Sequence, residues 1–578
     1  MLARVHYPQL VIPLVLACAL AAFAPSESTP SARAGTSWSA RAAQYVTASR
    51  RATLAAAAKR GIRLPTDFVS WIDGDPVLRN SVYGCRKDPL PVLLGLRSLE
   101  IDLGKDVVRK AYPQFALAIA MQGSYATLGP KAGSWNDGDA SQTPDTLPDT
   151  SPRSPLTLTI PSDPRVVIDT NDPARPRDRD DHIINFLEDH APLESKHVLT
   201  RGLTGADLIS LAALQREFNE YMKARGQDVS IDCGDGAVNW NSTEAVHDPE
   251  LRKRIAAAHD MIHSAYRAKG RMPTERDRPP TPSESMAWFV RNDRSTLAPS
   301  AKSDAKWPRF PLNAPWPVLL MLAADDQPLR EREEIWQKFV HSQEARTYGE
   351  YIGAIAQQFD MQSARRLAPL AFSYGSIQMM WKDGGVCGTM GNIGARTERI
   401  LGVPASTAGQ PGHCAMVQMD FDAKTGLYNC KGAQYASGGD EVTTVHAGWN
   451  YDDRGGRRGM IFHQTVAWGV NVGLQSFVDT LVMRRAFDAL SADERANQAT
   501  AFLAAGLKRN PYAFAVVEAA ISAAADSSTA TRLFDDYTKA MDAANIPSSH
   551  ALYRDTVRNL AQARALALSS RETPTNAK

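Results

Sequence analysis

Apolar residues recur at every third or fourth position along most of this 578-residue chain, which is the spacing of packed helices. The pattern predicts three helical regions, at residues 25–129, 186–345 and 476–570. The first contains the Ala- and Arg-rich stretch SARAAQYVTASRRATLAAAAKRG (39–61), whose final glycine is typical of a helix C-terminus. Most of the chain is therefore expected to be helical.

Two stretches interrupt the helical pattern. Residues 130–185 are rich in Pro, Asp and Ser, which predicts a linker or an extended surface segment. Within 346–475, helical spacing gives way after residue 402 to short alternating runs broken by glycine, which is typical of a small antiparallel sheet. The predicted fold class is therefore α+β, with a core at 346–475 flanked by extensive helical regions.

The C-terminal helical region carries a weak repeat. Pro511 and Pro547 lie 36 residues apart, close to the period of about 34 residues in tetratricopeptide repeats. Two helical hairpins of tetratricopeptide type fit this pattern, and an ordinary helical bundle fits it equally well.

The first 24 residues have the pattern of an export signal. Arg4 precedes the apolar run LVIPLVLACALAAFA (10–24), which closes on a small-x-small motif, Ala22-Phe23-Ala24. The run is shorter than the ~20 residues of a membrane-spanning helix, so no stable span is expected in the mature chain. We expect a cleaved signal peptide at 1–24 and a secreted or periplasmic protein. A lipoprotein linked through Cys18 and a retained anchor are the alternatives.

Composition narrows the possible functions. Lys and Arg total 65 and Asp and Glu 63, so no basic excess indicates nucleic-acid binding. Removal of the signal leaves five of the six cysteines, and an odd count in an exported protein keeps one thiol free or pairs it between chains. The sequence contains no CxxC pair, so a structural zinc site of that type is not expected. His259 and His263 have i, i+4 spacing, but a polar face on a packed helix is the better interpretation, and neither metal nor cofactor is expected.

The stretch WKDGGVCGTMGNIGARTERILGVPASTAGQPGHC (381–414) contains the candidate chemistry. Gly384-Gly385 permit a tight turn before Cys387, and apolar residues then recur at helical spacing to Leu401, with Gly402 as a C-cap. Cys387 is therefore expected at a helix N-terminus, where the helix dipole favours a thiolate and free backbone N–H groups can stabilise an oxyanion. The alternative is an ordinary buried cysteine.

A histidine opens the next predicted strand. After the turn Gln410-Pro411-Gly412, HCAMVQMDFD (413–422) alternates as a strand that begins at His413. Positions 413, 415, 417 and 419 then share one face of the strand, and we expect a helix lying across such a sheet to bring Cys387 to His413. The following strand candidate, GLYNCKG, offers Asn429 to orient the imidazole.

The order GGVC, helix, LGVPA, GHCAMVQM resembles the core of the transglutaminase-like superfamily over roughly residues 370–460. In that papain-like fold a Cys heads a helix, a Gly-Ile-Pro-Ala-type strand follows, and a His opens the next strand. The resemblance implies Cys387 as nucleophile and His413 as base. It also implies Asn429, sixteen residues after the histidine, as the third catalytic member.

Other residues compete for two of these roles. Asp440 and Asp452 are rival third members, because the family usually has Asp rather than Asn there. His446 and His463 are rival bases, but no nucleophile-like sequence precedes them.

The resemblance implies thiol attack on amide bonds through an acyl-enzyme, as in a cysteine protease, an amidase or a protein-glutamine acyltransferase. Export favours a peptide, protein or cell-envelope substrate, and the oligomeric state stays open. A second class of protein also fits the sequence: a catalytically inactive binding or scaffold protein that keeps the fold.

Overall fold

The computed structural model describes residues 37–125, 147–158, 246–257, 280–293, 310–325, 327–339, 387–410, 413–432, 444–445 and 459–572, together with single positions between 210 and 225. The predicted signal peptide lies outside these residues, as does most of the Pro- and Asp-rich segment. Within the described part of the chain, no helix is both long and apolar enough to cross a membrane.

The N-terminal region is helical, and its helices begin where the sequence supplies caps. The Ser37 hydroxyl accepts a hydrogen bond from the Ala40 N–H at 3.3 Å, and the Asp75 carboxylate accepts one from the Val77 N–H at 2.8 Å. The helices are α1 (Trp38–Lys59), α2 (Thr66–Gly74), α3 (Pro76–Gly84), α4 (Leu90–Leu103) and α5 (Pro113–Tyr125), with a π-helical turn at Asp106–Ala111.

Residues 147–158, within the predicted linker, lie against α4. The Arg153 guanidinium donates to both carboxylate oxygens of Asp102 at 2.6 and 3.0 Å, and the Leu156 N–H donates to the Asp102 carbonyl at 3.0 Å. Ser283, in helix α6 (Pro282–Arg291), donates to the same carboxylate. Asp102 therefore holds two distant segments of the chain on α4, so this part of the predicted linker is a packed surface segment.

The described residues between 310 and 339 form two helices, α7 (Trp316–Ala323) and α8 (Leu329–Phe339). Every residue of α7 is buried, and the Trp316 indole N–H donates to Ser81 at 3.0 Å. Arg332 of α8 is fully buried, and its guanidinium lies 3.1 Å from the Asp325 carboxylate and donates to the Ser285 hydroxyl at 3.0 Å. Such partners are what makes a buried guanidinium tolerable.

A four-stranded antiparallel sheet lies in the predicted core region, which confirms the α+β class. Its spatial order is β3-β2-β1-β4. The start of the preceding helix at Cys387 and both ends of the second strand agree with the sequence prediction. The elements are α9 (Cys387–Ile400), β1 (Ala405–Gln410), β2 (His413–Asp422), β3 (Leu427–Gly432) and β4 (Thr444–Val445).

Six helices follow the sheet. The last four form two hairpins that stack, because α12 packs on α14 and α13 packs on α15. The helices are α10 (Met460–Val472), α11 (Leu474–Asp488), α12 (Ala492–Arg509), α13 (Phe514–Ser522), α14 (Ser527–Ala543) and α15 (Ala551–Glu572), with a 3₁₀ turn at Ser548–His550.

One apolar core joins the first and last helices of the described chain. The Trp38 ring of α1 lies 5.8 Å from that of Phe487 and 4.9 Å from that of Phe502. Gly84 lets α3 close onto α11, since a Cβ at this position would lie 2.6 Å from Val482. The N-terminal and C-terminal helical regions are thus packed on each other, and the same core includes β2.

Candidate active site

Cys387 is the first residue of α9. The first four N–H groups of a helix have no intrahelical partner, and the positive end of the helix dipole lies at the same place. A nucleophile at this position faces donors suited to a developing negative charge. The sequence predicted this placement from the two preceding glycines, which lie outside the described residues.

The other end of α9 sets the direction of the strand that follows. Gly402 has a φ of 89°, and its N–H donates to the Arg399 carbonyl at 2.8 Å. The Val403 N–H donates to the Glu398 carbonyl at 2.9 Å. This pair of bonds is a Schellman motif, in which a left-handed glycine ends the helix. It confirms Gly402 as the C-cap and turns the chain back into β1.

Helix α9 packs on one face of the β1–β2 hairpin. Ala395 of α9, Ala405 of β1 and Met416 of β2 form one buried apolar cluster. Toward its C-terminal end α9 is enclosed by α7 as well, since Arg399 is buried and donates to the Ala324 carbonyl at 3.2 Å. The C-terminal half of the helix is therefore held against the sheet and α7.

Cys387 and His413 lie at the same end of this helix–sheet layer. Gln410 pairs with His413 where β1 ends and β2 begins. The Gly402 turn reverses the chain, so β1 runs antiparallel to α9 and the start of α9 lies at the end of β1. From the level of the Ala395–Met416 contact, Cys387 is eight residues away along a helix, about 12 Å. His413 is three residues away along a strand, about 10 Å. The two positions are therefore at nearly the same height.

The pleat of β2 places position 413 on the sheet face opposite the one that α9 covers. Met416 faces α9, so alternation places position 414 on the α9 face and position 413 on the face of Val417 and Met419. That second face packs on α7 and α10, since Met419 lines a small cavity with Met321 and Val466. Positions 413, 415, 417 and 419 share a face as predicted, but α9 covers the opposite one, which the sequence did not anticipate.

Asn429 is not adjacent to His413. It pairs with Asp420 in the β2–β3 ladder, seven residues along β2 from His413, a separation of about 24 Å. Its side chain is exposed and accepts a hydrogen bond from the Trp468 indole N–H at 3.2 Å. The expectation that Asn429 orients the His413 ring is therefore corrected. β2 is ten residues long, so the chain sixteen residues after His413 has returned only as far as the end of β2 that is distant from His413.

The rival third members, Asp440 and Asp452, lie outside the described residues. Strand β4 nevertheless bears on the first of them, because Thr444 pairs with Gly409, next to the Gln410–His413 pair. Asp440 precedes Thr444 by four residues, and four residues of chain span at most about 14 Å.

Of the two rival bases, the structure describes His463 alone. His446 lies outside the described residues. His463 is buried on α10, with its ring 5.0 Å from that of Phe462, and it lines the small cavity beneath Met419. It therefore lies on the sheet face opposite α9.

Two other cysteines are buried thiols. Cys430, opposite Met419 in the β2–β3 ladder, is fully buried, and burial raises the pKa of its thiol to about 12. Cys85 is buried, forms no disulfide, and its S–H donates to the Asn80 carbonyl at 3.8 Å. Neither has the exposure of a reactive thiol.

Metal ligation has no candidate among the residues that the structure describes, where no group of three or more His, Cys, Asp or Glu side chains is placed to hold an ion. His259 and His263 lie outside those residues.

No family model, curated protein or solved structure matches the chain. The resemblance to the transglutaminase-like superfamily therefore rests on the motif and on the order of α9, β1 and β2.

Proposed function

We propose that this chain is an exported thiol enzyme that attacks amide bonds, with a transglutaminase-like core and Cys387 as the nucleophile. The observation that carries the proposal is the position of Cys387 as the first residue of α9, at the end of the sheet where His413 begins β2. Two of the competing thiols, Cys85 and Cys430, are buried. A peptide, a protein or a cell-envelope polymer supplies the amide.

The reaction follows from the chemistry of the two groups. The Cys387 thiolate attacks the carbonyl carbon, and the helix N–H groups hold the resulting oxyanion. The C–N bond then breaks, His413 gives its proton to the departing amine, and the acyl group remains on sulfur as a thioester. Water or a second amine attacks the thioester and passes its proton to His413, which releases an acid or a new amide and restores the thiolate.

Asp440 is the third member that we propose. A carboxylate hydrogen-bonded to the second ring nitrogen keeps the imidazole in the working tautomer and stabilises the imidazolium. Asn429 pairs with the far end of β2 and is too distant to do this, whereas the four residues from Asp440 to Thr444 are enough to allow the carboxylate to reach the start of β2. The pair also requires the His413 ring to lean around the hairpin end toward α9, because alternation alone directs position 413 to the other face.

That same alternation favours the second candidate function, a non-catalytic binding or scaffold protein. If the His413 ring follows the pleat, it points toward the α7 side and the Cys387 thiol has no base. Such a chain keeps the fold and loses the acyl-transfer chemistry.

Trapping separates the two candidates. The wild-type protein is incubated with a peptidyl acyloxymethyl ketone and with iodoacetamide, and modified residues are located by peptide mass mapping. We expect the ketone to modify Cys387 in the wild type and in Cys414→Ser, and to modify nothing in Cys387→Ala. Modification that persists in Cys387→Ala shows that another thiol is the nucleophile. If iodoacetamide reacts at Cys387 no faster than an unperturbed thiol, and the ketone does not react, the binding protein is the correct alternative.

A further inference from the structure

A cavity of about 360 Å³ lies far along the chain from Cys387, between α1, α3, α11 and the end of α12. Its apolar wall is formed by Ala42 and Val46 of α1 and by Val482 and Met483 of α11, all of them buried. Pockets that bind small molecules have volumes of about 300–1,000 Å³ and walls that are mostly apolar, with a few polar groups that fix orientation. The cavity has the size and the wall of such a pocket.

The polar groups of the cavity are mainly cationic. Three guanidinium groups line it, those of Arg50, Arg79 and Arg509. Arg50 is balanced by Asp73, to which it donates in a bidentate pair with contacts of 2.6 and 2.8 Å. Arg509 is balanced by Asp479, at 2.9 Å from its Nε. Two of the three positive charges are therefore neutralised by carboxylates of the protein.

Asp479 has no capacity left for the third guanidinium. One of its oxygens accepts hydrogen bonds from the Asn80 amide at 3.0 Å and the Gln475 amide at 2.6 Å, and the other accepts from Arg509. This carboxylate is the only acidic side chain that lines the cavity in the described residues. Its partners are therefore Arg509 at the end of α12, Asn80 in the middle of α3 and Gln475 on its own helix.

Arg79 is the group without a counter-charge. It lies on α3, half-buried at the cavity wall, and in the described part of the chain it has neither a hydrogen-bond acceptor nor an acidic partner. A guanidinium stays charged at any physiological pH, and its planar donors match a carboxylate or phosphate in two parallel hydrogen bonds. Arg79 is therefore the guanidinium in this cavity that a carboxylate or phosphate of a ligand can pair with.

We propose that this cavity binds a small organic anion that carries one carboxylate or phosphate group on an apolar body. The anionic group pairs with Arg79, and the apolar body covers the wall of Ala42, Val46, Val482 and Met483. The hydroxyl groups of Ser39 and Thr47 line the remaining wall, and that of Thr47 already donates to the Ala43 carbonyl at 2.9 Å. Because Arg79 is the one guanidinium there without a counter-charge, we expect the ligand to carry a single anionic head group. Asp479 would repel a second one.

The test uses the full chain and isothermal titration with four probes: octanoate, octyl phosphate, inorganic phosphate and octylamine. We expect octanoate or octyl phosphate to bind, the tighter of the two identifying the head group. Inorganic phosphate is expected to bind at least tenfold more weakly, because it lacks the apolar body, and octylamine is expected not to bind. If neither anion binds, or if octylamine binds as tightly as they do, the proposal is overturned.

Two arginine variants locate the site. Arg79→Gln is expected to weaken the anion at least tenfold, and Arg79→Lys is expected to restore part of the loss because it restores the charge without the planar donors. Arg51→Gln is the matched control, since Arg51 is exposed on α1 next to Arg50 and does not line the cavity. Equal affinity in Arg79→Gln and the wild type, or an equal loss in Arg51→Gln, places the anion elsewhere and contradicts the proposal.

Discussion

The Trp468 indole N–H donates a hydrogen bond to the side-chain oxygen of Asn429 at 3.2 Å. This contact lies at the outer edge of the sheet, where α10 runs beside β3 and the Asn471 amide exchanges two hydrogen bonds with the backbone of Tyr428, at 2.8 and 2.7 Å. An edge strand otherwise exposes unpaired backbone groups, and α10 covers them here. Asn429 thus helps to attach α10 to the sheet.

Replacing Asn429 should therefore change stability and leave the thiol chemistry intact. We expect Asn429→Ala to lower the free energy of unfolding by about 1 kcal/mol, because the Trp468 N–H loses its acceptor. Denaturant unfolding measures this change, and the iodoacetamide rate at Cys387 should equal that of the wild type. A slower alkylation rate at unchanged stability would show that Asn429 acts in the catalytic site.

Asp440 is expected to carry the role that Asn429 does not. Asp440→Asn should slow the alkylation of Cys387 by the acyloxymethyl ketone about 10²-fold or more, because an amide does not stabilise the imidazolium as a carboxylate does. Stopped-flow or discontinuous labelling with the acyloxymethyl ketone gives the rate. Asp452→Asn is the control, since it makes the same chemical change at the other candidate position. If Asp452→Asn slows labelling and Asp440→Asn does not, Asp452 is the third catalytic member.

The left-handed turn at Gly402 positions α9 on the sheet, and its substitution should affect the site at a distance. Gly402→Ala places a Cβ at φ 89° with nothing within 4 Å of it, so only backbone strain opposes it, about 1–2 kcal/mol of unfolding free energy. Gly61 ends α1 at φ 74°, also with nothing within 4 Å, and Gly61→Ala is the matched control.

Both glycine variants are expected to unfold at lower denaturant concentration by a similar amount. Only Gly402→Ala is expected to alter the alkylation rate of Cys387, because only that turn joins α9 to β1. Equal alkylation rates in the two variants would show that the reactivity of Cys387 does not depend on how α9 leaves the sheet.

His550 should make stability depend on pH. Its ring stacks on Trp468 with centroids 3.7 Å apart and its Nδ1 lies 3.0 Å from the Tyr512 hydroxyl, and burial lowers its pKa below the ordinary 6.5. The unfolded chain takes up a proton at a pH where the folded protein does not. The contribution to stability is therefore complete above pH 6.5 and is lost as the pH falls through the folded pKa.

Denaturant midpoints measured from about pH 7.5 to about pH 5.5 test this dependence. The wild type should lose more stability over the range than His550→Phe, which keeps an aromatic ring against Trp468 and removes the titrating group. A slope that is the same in both proteins would assign the acid sensitivity to other groups.

The local parts of the candidate site were predictable from the sequence, and the long-range parts were not. The start of α9, the Gly402 cap and the bounds of β2 depend on neighbouring residues, namely glycines at turns and an alternating run. The position of Asn429 depends on the length of β2 and on the short turn to β3, which together decide how far the chain returns. The number of residues between His413 and Asn429 reveals neither the length of β2 nor the length of the turn.

The choice of sheet face was also beyond the sequence. Residues 416–419 are all buried, because α9 covers one face of β2 and α7 with α10 cover the other. A strand buried on both faces has no polar side to mark its orientation. The packing of α1 and α3 on α11 is likewise a contact between distant segments, made possible by the absence of a side chain at Gly84.

The central claim is that Cys387 and His413 form a thiolate–imidazolium pair, and the pH profile of Cys387 alkylation tests it most directly. The rate with iodoacetamide is measured by mass spectrometry between about pH 5 and about pH 9, in Cys414→Ser and in the same protein carrying His413→Gln. We predict that the first protein reacts on a plateau well below pH 7, and that His413→Gln removes the plateau and leaves one rise near the ordinary thiol pKa of about 8.5. Superimposable profiles in the two proteins, each with that single rise, would contradict the pair.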